Sequence, residues 1–189
     1  HEAFIASGSI VFNVKALAHM EKLVREAPTY TIHDSPEREP YVVEDKHAKL
    51  KIWDMPEKGE EYVIGADAAE GLEGGDFSVA DIIRVKDMKT VARFRSQLVD
   101  PDQFAHTLDK LGRFYNYALI GPEINNHGLA VVQRLRDLFY SNLYKREKGL
   151  DEVFETSTTK FGWKTTTITK PLAIDYLAEA IREGLVKDE

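Results

Sequence analysis

Two acidic residues stand at the ends of short apolar runs in this sequence. Asp67 follows Tyr62-Val63-Ile64-Gly65-Ala66, and Glu123 follows Ala118-Leu119-Ile120-Gly121-Pro122. Both runs have the length and composition of brief buried strands. In an open α/β sheet, carboxylates at the carboxyl ends of such strands converge where ligands bind. Phosphodiester hydrolysis asks for that arrangement: two divalent cations about 4 Å apart, one activating water and one stabilising the leaving 3′ oxygen, must be held by acidic oxygens. Neutral side chains could not hold them. Strand-end Asp and Glu also serve as helix caps or solvated charges, and taken singly either residue fits that use as well. Asp76, in Gly74-Gly75-Asp76-Phe77, is a third acidic candidate, or else a turn residue that bonds its own backbone. Asn125, Asn126, His127 and Gly128 follow Glu123 at a predicted helix start, where exposed N–H groups and polar side chains would meet a phosphate. A partly exposed histidine near a cap is the alternative for His127.

The metal class follows from composition. With no cysteine in 189 residues, disulfide scaffolds, zinc knuckles and thiol nucleophiles are excluded, and any metal must sit on carboxylate or histidine. That favours hard cations, Mg2+ or Mn2+. Lys and Arg total 25 against 32 Asp and Glu, and the resulting net charge of −7 opposes nonspecific DNA binding over the whole surface. A DNA-binding reading therefore requires a local basic patch. From Thr156 to Ile174 there is no acidic residue, while Lys160, Lys164 and Lys170 stand among Thr and Ser hydroxyls. That stretch is a candidate DNA-backbone contact, or a polar surface loop.

The elements that must position these groups are legible in the apolar spacing. Asn13 to Ala27 reads as a leading helix, with Asn13 as N-cap, Val14, Leu17, Met20 and Val24 on one face, and Pro28 as the stop. Thr29 to Gly59 is rich in Pro and charge, with brief strands predicted at Tyr41–Val43 and Leu50–Trp53. The compact fold is expected to begin at Glu61: residues 1–60 form the leading helix and an irregular segment packed on a domain of residues 61–189. Three antiparallel strands come first, the second over Phe77–Val85 and the third over Val91–Ser96. A helix starting at Asp100-Pro101 carries Phe104, Leu108, Leu111 and Tyr115 across the sheet. After the Ala118–Ile120 strand, Leu129, Val132, Leu135 and Phe139 mark a further helix, and Leu143-Tyr144 reads as a fifth strand. A last helix from Pro171 shows Leu172, Tyr176 or Leu177, Ala180 and Ile181 on one face and stops at Gly184. The predicted fold class is α/β, a ribonuclease H-like mixed sheet with helices on its faces. No run of about 18 apolar residues could span a bilayer, and the N-terminal stretch lacks the pattern of a secretory signal; a cytosolic protein without membrane contact is expected.

The stretch YVIGADAAEGLEGGDFSVADIIRV is similar to the strand, Asp and Gly-rich turn that opens the nuclease domain of tailed-phage large terminases. GPEINNHGLAVVQRLR resembles that family's second motif, FGWKTTTITKPLAIDYLAEAI its later segment, and EAFIASGSIVF the junction after its packaging ATPase. The resemblance spans nearly the whole chain. It implies a virus-encoded endonuclease domain, acting in the host cytoplasm, that cuts concatemeric double-stranded viral DNA into genome lengths. It also implies, in the full protein, an N-terminal packaging ATPase domain, with the portal and the small terminase as partners. Carried over by position, Asp67 would bridge two Mg2+ or Mn2+ ions and Glu123 would bind one of them.

Two departures from the family pattern bear on the expected activity. A final acidic pair, part of a His-Asp-Asp motif, is implied downstream of the Gly184 helix, and the sequence stops at Glu189 without it. Asp175, inside an amphipathic helix pattern, is expected to face solvent rather than replace it. The encoded metal site is therefore expected to be incomplete and the fragment weakly active or inactive. No GxxxxGK[ST] phosphate loop is present. Competing readings are an actin-like or sugar-kinase ATPase, which would need a second Gly-rich phosphate loop that the sequence lacks, a DNA-clamping or docking module without hydrolysis, and a kindred resolvase-type nuclease of the same fold.

Overall fold

The computed structural model describes residues 11–35, 39–146 and 161–185. Seven strands form one mixed sheet: β1 (Thr29–His33), β2 (Tyr41–Glu44), β3 (Leu50–Ile52), β4 (Tyr62–Asp67), β5 (Ser78–Arg84), β6 (Lys89–Ser96) and β7 (Leu119–Pro122), in spatial order β2-β1-β3-β6-β5-β4-β7. Only β4 and β7 run parallel; the other neighbours are antiparallel. The helices are α1 (Val14–Glu21), α2 (Pro101–Phe114), α3 (Gly128–Asp137) and α4 (Thr169–Arg182).

Period-two alternation gives the sheet one apolar face. Leu50 and Ile52, Ala92 and Phe94, Ala80 and Ile82, Ile64 and Ala66 occupy matched positions across β3, β6, β5 and β4. On them lies α2, whose start is fixed by Asp100 accepting the Gln103 N–H and by Pro101 at the first helical position. Phe104 stacks on Phe94, and Tyr115 meets Tyr62 edge on. The buried Tyr115 hydroxyl donates to the Asp54 carbonyl at 3.0 Å, which spares it an unpaired polar group in the core. α3 packs beside α2.

The open face of the sheet carries the intervening residues. In one row across it, the strand pairing places Asp67, Val79 and Arg95 side by side; in the next, Gly65, Asp81, Arg93 and Lys51.

Several expectations need correction. The predicted irregular segment before Glu61 supplies β1 as well as β2 and β3, and the sheet runs unbroken across position 60. α1 is capped by Asn13 as expected but ends at Glu21, in a turn closed by Lys22 and Leu23 well before Pro28. It has no buried residue and lies against α4. The buried face of α3 is Val131, Val132 and Leu135, whereas Leu129 is exposed and Phe139 is 91% exposed. Phe139 takes φ 59° in the closing turn of α3, where Tyr140 N–H reaches the Leu135 carbonyl. Leu143 and Lys145 make single bridges, to Ile120 and Phe161, in place of a full fifth strand. On α4 only Ile181 is buried; Leu172, Tyr176 and Leu177 are exposed.

Candidate metal centre

Sheet register brings the two carboxylates together. Asp67 is the last residue of β4, and Ala66 is paired with Pro122, the last residue of β7, so Glu123 holds the next position on the neighbouring strand. The Glu123 N–H donates to the Ala66 carbonyl at 2.7 Å and extends the ladder one step past the strand end. Gly128 holds the other side of Glu123. A Cβ at position 128 would overlap the Glu123 carbonyl, so the first residue of α3 packs directly on the backbone of the candidate ligand.

Around the pair is a cleft of about 740 Å³. The end of β4 contributes Asp67, the turn after it Glu70 and Asp76, the turn after β7 Glu123, Asn125, Asn126 and His127, and the start of α4 Lys170. The Asn125 amide donates to the Thr165 carbonyl at 2.9 Å, the Ile124 N–H donates to the Trp163 carbonyl and the Trp163 N–H to the Pro122 carbonyl, which holds Thr165 at the cleft. His127 Nε2 lies 3.4 Å from Glu70 Oε1 across the opening.

The electrostatics of the cleft are those of crowded negative charge. The Asp67 carboxyl is held above its ordinary pKa, first by partial desolvation, then by the negative charge of Glu123; the Ala68 N–H opposes the rise and Asp76 adds to it. Asp67 is solvent-accessible as a residue, but its carboxyl sits in the cleft wall, which accounts for desolvation being the larger cause. A cation between Asp67 and Glu123 would relieve this repulsion.

The sequence-derived candidates divide as follows. Asp67, Glu123, Asp76, Asn126, His127 and Lys170 line one cleft. Lys164 does not line it; its carbonyl accepts the Thr169 hydroxyl at 2.8 Å, fixing the turn into α4. Lys160 lies outside the described residues. Asp175 is exposed on α4 and lines a different hollow, with Tyr176 and Arg182. Glu70 and Thr165 were not singled out from sequence. Glu70 stands three residues after Asp67 in the same turn, a signal that was available; Thr165 reaches the cleft only through long-range pairing.

Among the described residues no group of three or more His, Asp or Glu side chains could hold a metal ion. The donor set fits one hard divalent cation on two carboxylates, the remaining positions being filled by water, as Mg2+ is commonly bound. Among the described residues it does not supply ligands for a second. No helix among the described residues is long and apolar enough to cross a membrane.

No protein-family model matches this chain, and no curated protein matches it. Solved structures do. The large terminase nuclease of thermophilic phage G20c, in forms with bound magnesium and with bound cobalt, superposes with a TM-score of 0.58 at 14% identity, over 92% of this chain and 72% of that one. The Thermus phage P74-26 large terminase nuclease domain superposes with a TM-score of 0.56 at 16% identity, over 92% of this chain and 70% of that one. The chain thus has the ribonuclease H-like α/β fold of large terminase nuclease domains, the fold expected from its motifs.

Proposed function

We propose that this chain is a metal-dependent endonuclease domain that cuts concatemeric viral DNA during genome packaging. The observation that carries the reading is the pairing of Asp67 with Glu123 at adjacent strand ends in an acidic cleft, on a fold shared with proteins named as terminase nucleases. A divalent cation bound there would lower the pKa of a coordinated water and polarise a phosphoryl oxygen. The remaining roles belong to the chain itself. Asp67 and Glu123 hold the cation, with Asp76 adding negative charge. Lys170, at the cleft rim, pairs with a phosphate, and Lys160 and Lys164 belong to the same acid-free stretch. The His127–Glu70 pair spans the opening and presents an N–H or a ring nitrogen to DNA entering it. Asn126 stands beside it. All these residues fall in the proposed nuclease unit, residues 61–189, which β3 of the preceding segment joins by pairing with β6. Two-metal catalysis requires further ligands in the working enzyme, and an N-terminal packaging ATPase, the portal and the small terminase are the proposed partners there.

A second reading has an observation of its own. Because the described residues offer no third metal-binding carboxylate in reach, the chain also suits a DNA-clamping module of the packaging motor that does not hydrolyse. Plasmid nicking in Mn2+ separates the two. Cleavage that Asp67→Asn abolishes, with the fold intact, supports the nuclease; wild-type rates in that variant remove Asp67 from catalysis, and DNA binding without any nicking supports the clamp.

A further inference from the structure

The open face of the sheet carries a block of positive charge in a chain whose net charge is −7. Lys49 and Lys51 flank the buried Leu50, and Arg93 and Arg95 flank Phe94, so alternation sends the four cations to the face opposite α2. The register makes them neighbours: Lys51 is paired with Arg93, and the Arg95 N–H donates to the Lys49 carbonyl at 3.0 Å. All four line one groove of about 570 Å³. Its acidic content is small. Glu26 lies on the rim, and Arg93 is paired with Asp81, but Lys49, Lys51 and Arg95 have no carboxylate partner among the described residues. Lys51 and Arg93 stand directly opposite on adjacent strands, where like charges are destabilising. A polyanion would offset that cost.

The groove joins the acidic cleft. Phe77 lines both, and the Gln97 amide in the groove donates to the Gly75 carbonyl of the cleft turn at 2.6 Å. The same turn is seated at Gly71, with φ 83°, against the backbone just before α2, where a Cβ would lie 2.7 Å from the Asp100 nitrogen. Asp67, Val79 and Arg95 occupy one row of the sheet. With strands roughly 4.8 Å apart, Arg95 stands two strands, about 10 Å, from Asp67. That is about three nucleotides' advance along the duplex axis at 3.4 Å per base pair.

We propose that Lys49, Lys51, Arg93 and Arg95 form a contact site for the phosphate backbone of duplex DNA, gripping it about three nucleotides from the Asp67–Glu123 carboxylates. The proposal rests on the nuclease reading for its ligand. Of the two aromatic rings that line the groove, Phe77 is covered by the Arg95 guanidinium, 3.2 Å from its centroid, and Trp53 is held through its Nε1–H to the Arg25 carbonyl, so the four cations rather than a stacking platform are the contact the groove offers, which favours a duplex backbone. The contact is therefore ionic and blind to sequence. It is separate from the Lys160–Lys170 stretch.

The test is fluorescence anisotropy of a labelled DNA duplex against the 189-residue chain in EDTA, across a salt series. Lys49→Ala/Lys51→Ala/Arg95→Ala should lower the slope of log K against log salt by about 2.7, so that between 50 and 200 mM salt the wild type loses about 40-fold more affinity than the variant. Lys49→Ala/Lys51→Ala, which leaves Arg95 on Phe77, should lose about two-thirds of that slope and guards against a folding defect in the triple variant. A charge-matched control, Lys15→Ala/Lys46→Ala/Lys58→Ala, should leave the slope near the wild-type value. No duplex binding by the wild type, an unchanged slope in the groove variants, an equal loss in the control, or tighter binding of a single strand would each overturn the proposal. Because the assay contains no metal, groove variants that bind normally while Asp67→Asn abolishes nicking would refute the groove and leave the nuclease standing. The opposite pattern would refute the nuclease alone.

Discussion

Gly128→Ala sets two well-known effects against each other. By helix propensity, replacing Gly with Ala inside a helix stabilises by up to about 1 kcal/mol. At position 128 the added methyl would overlap the Glu123 carbonyl, a backbone atom with no rotamer to yield. Either the first turn of α3 unwinds or the Glu123 peptide moves, and the latter strains the bond from its N–H to the Ala66 carbonyl. Overpacking of a close contact costs about 1–3 kcal/mol, and loss of a hydrogen bond about 1 kcal/mol more. Less the propensity gain, the variant should be destabilised by about 1–3 kcal/mol. With a denaturant slope of about 2 kcal/mol per molar urea, the midpoint falls by about 0.5–1.5 M. Mn2+ affinity should fall in the same variant, because the Glu123 carboxylate moves with its backbone. A midpoint that stays level or rises, with Mn2+ binding retained, would refute the claim that this glycine fixes the ligand.

Asp67→Asn should raise metal-free stability by a few tenths of a kcal/mol at neutral pH, a small gain because the site is accessible and screened. The folded carboxyl has its pKa above the unfolded value, so the native state binds the extra proton and stability falls as pH climbs through that window; the advantage of Asn should be present at pH 7 and vanish near pH 3, as urea midpoints against pH would show. Calorimetric titration of the wild type with Mn2+ should give one weak site and none in Asp67→Asn, and two sites in the wild type would contradict the ligand set described. Phe139→Gly should stabilise by about 1 kcal/mol, since an exposed aromatic at φ 59° leaves a left-handed position to the residue that tolerates it; a lower melting temperature would show that Phe139 makes contacts that outweigh the strain.

The order of elements from β4 to α4 could be read from sequence because each carries a local signature. Asp100-Pro101 announces α2, and the apolar run into Asp67 announces β4. β1 could not, since Thr29–His33 buries only Ile32 and becomes a strand through its partners β2 and β3. The phase of α3 is not fixed by its sequence, because 10 residues fit two apolar stripes. Tertiary contact with α2 selects Val131 and Leu135, and the helix ends before Phe139. The α4 stripe was recognised, yet most of it stays exposed, so amphipathicity alone does not say what a helix meets. In the site, Asp67 and Glu123 were legible because strand ends are. Glu70 lies near enough to Asp67 in sequence to be a candidate, but its meeting with His127 depends on the long-range β4–β7 pairing, and the basic block is hidden because its members are split between the β3 region and β6, far apart in sequence.

The junction of Ala66 with Glu123 has a consequence for how such a centre persists. The spacing between the backbone positions that carry its two carboxylates is a lattice constant: adjacent strands in a sheet repeat at roughly 4.8 Å whatever side chains they bear. The chemistry thus draws its ruler from the peptide backbone, and mutation elsewhere leaves the ruler unmarked. A slip of one residue between β4 and β7 would turn one carboxylate to the opposite face, an all-or-none error that natural variation cannot approach by degrees. Sequences can drift a long way around a distance kept in that form.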